Sequence, residues 1–548
     1  MLNSSVENRP GRKCLHGFAN ILFLALICST CAHAADYDVA ILNGRVMDPE
    51  TGFDGVRNVG IRGGKIAAIT TGSISGGRII DATGHAVTAG FIDSHVHSLD
   101  LFSVKLLMRD GVTTGMDLEV GAWPVAPWYE GKKDKWPINY GTTVSQEIVR
   151  MSVHDANDGI DFAVPIDATG LSKARTASLK DGIEGWSVTK SNLEQMNEIS
   201  RRLDQGLREG ALGLGSTIGY MRTGVTTYEM FEAQRAAARY GRLTAAHLRF
   251  HPMNKTPTES PMGFAEAFTN AVTLKAPLLI SHNNDYGWWE IEEKLVLARE
   301  QGLNVWGEYY PYTAGAGPLG SEFLRPEMWE DTLGYKYEET LFDPVQNKFL
   351  TRDEYFEAVA TDPGRTIIAH IPPRKPWLRK WLKVPHMVVA GDTMWSTDKD
   401  GNPLGWDDPY QDYVGHPRTA GTRGRVLRLA REENIPLMFT LSQLSYWHAK
   451  HLGDAGVETM KIRGRMQEGM VADIVVFDPD RVTDNADFEL GANGRPTTGI
   501  PYVLVNGQFV VDNSEVKKVM AGQAIRYPPE NTGRFIPVTE EEYPPAKK

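Results

Sequence analysis

The chain has 548 residues, a formal net charge of −11, 41% apolar residues and 23% charged ones. This ordinary globular composition excludes disorder, collagen-like repeats and a coiled coil as global descriptions. The acidic balance argues against nucleic acid or an anionic membrane surface as a partner.

In chain order, residues 1–34 have the form of a signal peptide. Arg9, Arg12 and Lys13 make a basic n-region, and residues 18–28 make an apolar h-region too short to span a bilayer. Ala32-His33-Ala34 then supplies a small-x-small cleavage site. The expectation is cleavage before Ala35 and a periplasmic or secreted product with no membrane attachment afterwards; an uncleaved anchor is the alternative. All three cysteines (Cys14, Cys28 and Cys31) lie in this segment. The mature chain therefore has no disulfide, no thiolate ligand and no cysteine nucleophile. No later apolar run reaches about 18–20 residues, so no further span is expected.

Residues 35–85 read as short strands. Asn43-Gly44 separates 37–42 from 45–47, and Gly63-Gly64 separates 59–62 from 65–69; both are hairpin signals. Similar strand patterns recur at 472–477 and 502–511. The two ends, 35–85 and 461–530, are expected to form one composite β-sandwich, with 531–548 a tail. The middle, 86–460, alternates apolar runs with helical patterns. Candidate strands are 87–97, 111–119, 162–168, 211–217, 243–249, 277–282, 303–309 and 386–392, with amphipathic stretches at 189–209, 226–240 and 289–301. The alternation predicts an α/β fold, a (β/α)8 TIM-like barrel. No helical pattern stands out after the first two strands. Residues 311–385, rich in Pro, Trp and charge, are too long for a simple loop and predict an insertion or lid.

His95 and His97 end the first barrel strand. Residues i and i+2 of a strand share a face, so both imidazoles point the same way. At the C-terminal end of a barrel strand that direction is the mouth, and paired neutral imidazoles are suitable Zn2+ ligands. His-x-His alone is a weak signal, because two such residues also occur together by chance on a surface. Four further residues end other candidate strands: Glu119, His247, His282 and Asp392. Singly each is an ordinary rim or core residue. Jointly they would ring one mouth, which points to a site for one or two zinc ions. No nucleotide-binding glycine motif accompanies them.

With these residues in view, the chain resembles the amidohydrolase superfamily, and within it the D-aminoacylase and N-acyl-D-glutamate deacylase group. The resemblance rests on Ala89-Gly90-Phe91-Ile92-Asp93-Ser94-His95-Val96-His97 and on the run from Gly464-Arg465-Met466 to Ile474-Val475-Val476-Phe477. It extends to Glu209-Gly210-Ala211-Leu212-Gly213-Leu214, Gly219-Tyr220, His247-Leu248-Arg249, Tyr310-Pro311-Tyr312-Thr313-Ala314-Gly315 and Gly415-His416-Pro417-Arg418. It implies that His95 and His97 hold the more exposed metal, that His247 and His282 hold the other, and that Asp392 contacts the exposed metal and acts as the base.

Two departures matter. D-aminoacylases carry a cysteine after the second strand, which this mature chain lacks; Glu119 is the natural bridging substitute, with Asp117 as runner-up. They usually also carry a lysine two residues after the histidine matched by His282, where this chain has Asn284. The remaining candidates for substrate binding are Tyr220, Arg249, Tyr312, His416 and Arg418, each of which can equally be a structural residue. The implied reaction is zinc-dependent hydrolysis of an N-acyl-D-amino acid such as N-acyl-D-glutamate. The alternatives are hydrolysis of a dipeptide, cyclic amide, lactone or carbamate, or a non-catalytic binding protein on the same barrel. The sequence leaves the oligomeric state open.

Overall fold

The computed structural model describes residues 36–179, 184–251 and 259–543; the expected signal peptide lies outside them. Eight parallel strands form the barrel, and each hydrogen-bonds to the next in chain order. They are β1 (Phe91–Asp93), β2 (Val112–Ala122), β3 (Asn139–Ser145), β4 (Gly213–Ser216), β5 (Leu243–Ala246), β6 (Leu278–Ile280), β7 (Val305–Tyr309) and β8 (Val388–Val389). The ring closes just beyond the strand ends. Val96 pairs in parallel with Thr393, and the His97 N–H donates to the Thr393 carbonyl at 2.9 Å. The strands are buried along their whole length, as expected of a parallel sheet covered by helices. The amphipathic stretches become the helices Leu193–Arg208, Thr227–Ala238 and Trp288–Glu300.

The third strand departs from the expectation. Residues 162–168 contribute only an isolated bridge from Ile166 to Trp123, and the helix Ala168–Ala177 begins where the strand was expected to end. Pro165 cannot donate to a ladder, which disfavours an interior strand there. The strand is instead Asn139-Tyr140-Gly141-Thr142-Thr143-Val144-Ser145, whose polarity hides it. Its polar side chains are buried and bonded: the Asn139 amide, for example, donates to the Thr113 carbonyl at 3.1 Å.

Strands from both ends of the chain join one nine-stranded sheet. Ala86–Ala89 is its keystone, pairing in parallel with Tyr37–Asp48 and antiparallel with Ile474–Phe477. Gly63-Gly64, both at positive φ, makes the expected hairpin between Phe53–Arg62 and Lys65–Thr70. Asn43-Gly44 does not. It is a bulge inside the single strand Tyr37–Asp48, with Asn43 in the left-handed region.

Between β7 and β8 the chain builds a four-stranded antiparallel sheet, Ala314–Pro318, Thr366–His370, Leu341–Asp343 and Lys348–Phe349. This sheet has its own core around Trp329, Tyr337, Tyr355 and Ile367. No helix among the described residues is long and apolar enough to cross a membrane.

Asp473 ties the terminal sheet to the barrel. Its carboxylate accepts from Arg463 Nε at 3.0 Å, from the Asn139 amide at 2.9 Å and from the Asn506 N–H at 2.7 Å. Arg463 and Asp473 are each 3% exposed, so removal of one leaves a buried charge unpaired. Asp473→Ala should lower stability by about 3–5 kcal/mol, read from the chemical denaturation midpoint; a change under about 0.5 kcal/mol would show that the pair is dispensable.

Candidate metal centre

Each inward side chain comes from the C-terminal end of a different part of the barrel. His95 and His97 follow β1, Glu119 lies in β2, His247 follows β5, His282 follows β6 and Asp392 follows β8. The structure brings all six together. His95 Nε2 lies 2.9 Å from His97 Nε2, and Asp392 Oδ1 lies 3.4 Å from the first and 3.6 Å from the second. His247 Nδ1 lies 3.0 Å from His282 Nε2. Glu119 stands between the pairs, with Oε1 3.4 Å from His247 Nδ1 and Oε2 3.0 Å from His282 Nε2 and 3.4 Å from His95 Nε2.

These separations fit divalent cations. Ligand atoms about 2.0–2.1 Å from a tetrahedral zinc stand about 3.3 Å apart, and the donor separations cluster around that value. Glu119 Oε2 is buried without a hydrogen-bond partner among the described residues, an expense that a cation would relieve. The local field is also cation-seeking. Burial disfavours charge on His95, yet Glu119, Glu308 and Asp392 together raise its pKa well above the ordinary value. Burial pushes Glu119 upward, but His95, His282 and His247 outweigh it and hold it well below the usual carboxylate range.

Backbone geometry aims the donors. His282 (φ +31°) and Asp392 (φ +47°) both occupy the left-handed region, which is costly for non-glycine residues and is retained where the surroundings enforce it. Asp93 organises the first and last strand ends: Oδ1 accepts from the His95 N–H at 3.1 Å and the Gly391 N–H at 3.0 Å, and Oδ2 pairs with Arg423 at 2.8 Å. Gly219 lies against the His247 ring, where a Cβ would come within 2.3 Å of Cδ2. Asp117, the other carboxylate of β2, turns away from the centre. It lies 3.2 Å from His97 Nδ1 and accepts from the Val120 and Gly121 N–H groups, so it orients His97.

Two groups escaped the sequence reasoning. Glu308, fully buried in β7, contacts His95 Nδ1 and accepts from Ser94 Oγ at 2.7 Å. Its only signal was a carboxylate inside the apolar run Val305-Trp306-Gly307-Glu308-Tyr309. The second is His251, which lies beside His247 and His282 with Asp285 and Arg374 behind it.

The centre opens into a cavity of about 880 Å³. Of the expected substrate residues, Tyr220 lines it, its ring 4.7 Å from that of His247. Arg418 reaches it only through Asp392, pairing with Oδ2 at 2.8 Å. The others face elsewhere. Arg249 is locked to Glu266 by two contacts of 2.7 Å. Asn284 donates to the Tyr310 carbonyl at 3.0 Å and is fully buried. Tyr312 is buried under Arg425, which sits 4.6 Å from its ring. His416 Nε2 lies 3.1 Å from the Ala314 carbonyl, and its Nδ1 accepts the Arg418 N–H. These four build the walls and do not line the cavity.

No family model matches the chain. A D-aminoacylase from Alcaligenes xylosoxydans xylosoxydans is 26% identical over 512 residues, 89% of this chain and 97% of the relative. An N-acyl-D-glutamate deacylase of the same organism is 26% identical over 502 residues, 86% of this chain and 93% of the relative. The chain is similar to these deacylases over most of its length. Among solved structures, an N-acyl-D-glutamate deacylase from Bordetella bronchiseptica, complexed with zinc and a phosphonate that mimics the tetrahedral intermediate, superposes with a TM-score of 0.67 at 21% identity. That match covers 89% of this chain and 99% of the other. A D-aminoacylase structure gives 0.65 at 21% identity, covering 90% and 100%. In this chain the inward donor on β2 is a carboxylate, Glu119.

Glu308→Gln keeps the shape of the residue but removes the charge behind His95. It should weaken divalent-cation binding about 10–100-fold, measured by titrating the apo-protein. Affinity equal to wild type would show that Glu308 does not tune the centre.

Proposed function

We propose that this amidohydrolase uses one or two zinc ions to hydrolyse the amide bond of an N-acyl-D-amino acid, releasing a carboxylate and the free D-amino acid. The observation that carries the reading is Asp392. It faces the cavity, touches both imidazoles of the His95/His97 pair and is held by Arg418. Zinc bound among these donors would polarise the scissile carbonyl and lower the pKa of a water towards about 7. Asp392 is placed to take the proton of that water and to return it to the departing amine. Arg418, fully buried, pairs with Asp392 and fixes its orientation. The Tyr220 hydroxyl stays protonated, because burial raises its pKa. From its place beside His247 it can donate to the oxyanion.

The cavity lining combines cationic and apolar groups, which supports a substrate with both an acidic and an apolar part. Arg175, Arg222, Arg325 and Arg374 line it, as do Trp186, Phe323, Trp329, Phe356 and Trp395. With Asn284 turned to backbone, one of these arginines takes the substrate carboxylate. The same substitution keeps cyclic-amide hydrolysis as the second reading, since a ring substrate needs no free carboxylate partner. Export is part of the proposal and rests on residues 1–34: N-terminal sequencing from the natural host should begin at Ala35, and a start at Met1 would remove it.

A panel of N-acyl amino acids in both enantiomers, with cyclic amides alongside, tests the reaction. Turnover should favour the D series. Turnover confined to L or cyclic substrates would contradict the reading. In parallel, Asp392→Asn should keep the fold and lose about 10²–10⁴-fold in kcat.

A further inference from the structure

Counting donors exposes an asymmetry. The His95/His97 side of the centre has two imidazoles, Asp392 Oδ1 and Glu119 Oε2, four protein atoms in all. The His247/His282 side has two imidazoles and Glu119, which makes three contributing residues. A third imidazole stands at that side. His251 offers a ring nitrogen that lies within 4.8 Å of donor atoms of His247 and His282. Its ring centroid is 4.1 Å from that of His282 and 4.8 Å from that of His247. The His95/His97 and His247/His282 centroids are each 4.6 Å apart; those rings meet edge to face, as His251 meets His247, while His251 stacks on His282.

The support behind His251 is that of a ligand. Its Nδ1 lies 3.0 Å from Asp285 Oδ2. Asp285 is gripped by Arg374 through two contacts of 2.7 and 2.9 Å, and Asp285 and Arg374 are 4% and 1% exposed. Metal-bound histidines commonly donate their second ring N–H to a carboxylate, which fixes the tautomer and raises ligand basicity. With Nδ1–H committed to Asp285, the remaining nitrogen, Nε2, is the free donor. His251 also lines the cavity.

We propose that His251 is the fourth protein donor to the cation held by His247, His282 and Glu119, with Asp285 and Arg374 as its positioning residues. The assignment rests on the metal-centre reading above. It makes the inner position a closed four-donor set, the arrangement of zinc sites that retain their ion.

The test is zinc titration of chelator-stripped wild-type, His251→Gln and Asp285→Asn proteins against a competing dye, with cobalt absorption spectra of each. His251→Gln should weaken one of two binding steps by at least about 10–100-fold, leave the other unchanged and alter the cobalt band. Asp285→Asn should shift the same step in the same direction by less. Unchanged affinities and an unchanged cobalt band in His251→Gln would overturn the assignment, whatever happens to activity. Should that variant not fold, NMR of the cobalt-loaded wild-type protein decides. Five hyperfine-shifted imidazoles support the proposal, and four overturn it. A wild-type protein that binds no zinc would instead overturn the metal centre itself, and the assignment with it.

Discussion

A carboxylate buried among imidazoles is the constraint on which this molecule turns. Glu119 sits in the interior of a closed barrel, with one oxygen left without a hydrogen bond. Such a group is tolerated only where positive charge is supplied, by protonated histidines or by cations. The supply must come from several directions at once, since no single strand can surround a side chain. The barrel meets that need because its strands end in one ring: β1, β2, β5, β6 and β8 deliver the donors, and the bridge between Val96 and Thr393 holds the first and last of them together.

A second layer of opposite charges holds the donors in place. His95 is backed by Glu308, His97 by Asp117, Asp392 by Arg418, and the β1 and β8 ends by Asp93 with Arg423. The pattern is what a metal centre needs, because the direction of a ligand is set by what it touches on its far side. It also accounts for the two left-handed residues. His282 and Asp392 hold left-handed backbone at strand ends, a conformation that persists where the surrounding contacts enforce it. The insertion between β7 and β8 then supplies the aromatic wall that makes the mouth a cavity.

Much of this was legible in the sequence because it is periodic or typed. Alternation of strand and helix patterns gave the barrel, and residue type at strand ends gave six side chains that the fold brings together. What escaped did so for physical reasons. The polar strand Asn139–Ser145 buries its amide and hydroxyls through bonds to neighbours that only the fold brings near. Asn43-Gly44 looks like a turn because its conformational preference is the same in a bulge as in a hairpin. Arg249, Tyr312, His416 and Asn284 have the chemistry of substrate ligands, and their assignment to the walls depends on the partners that the fold gives them, Glu266, Arg425 and the Ala314 and Tyr310 carbonyls. Glu308 was hidden by an apolar run. Local chemistry does not reveal which way a side chain points when its partner lies on another element of the fold.

The central claim is that Glu119 bridges two cation positions. Anomalous diffraction from zinc-loaded crystals, collected at the zinc absorption edge, tests it directly. The account predicts two peaks about 3.5–4 Å apart, one beside His95, His97 and Asp392 and one beside His247 and His282, with the Glu119 carboxylate between them. A zinc peak with Glu119 turned away from it, or with Asp117 in its place, would contradict the account.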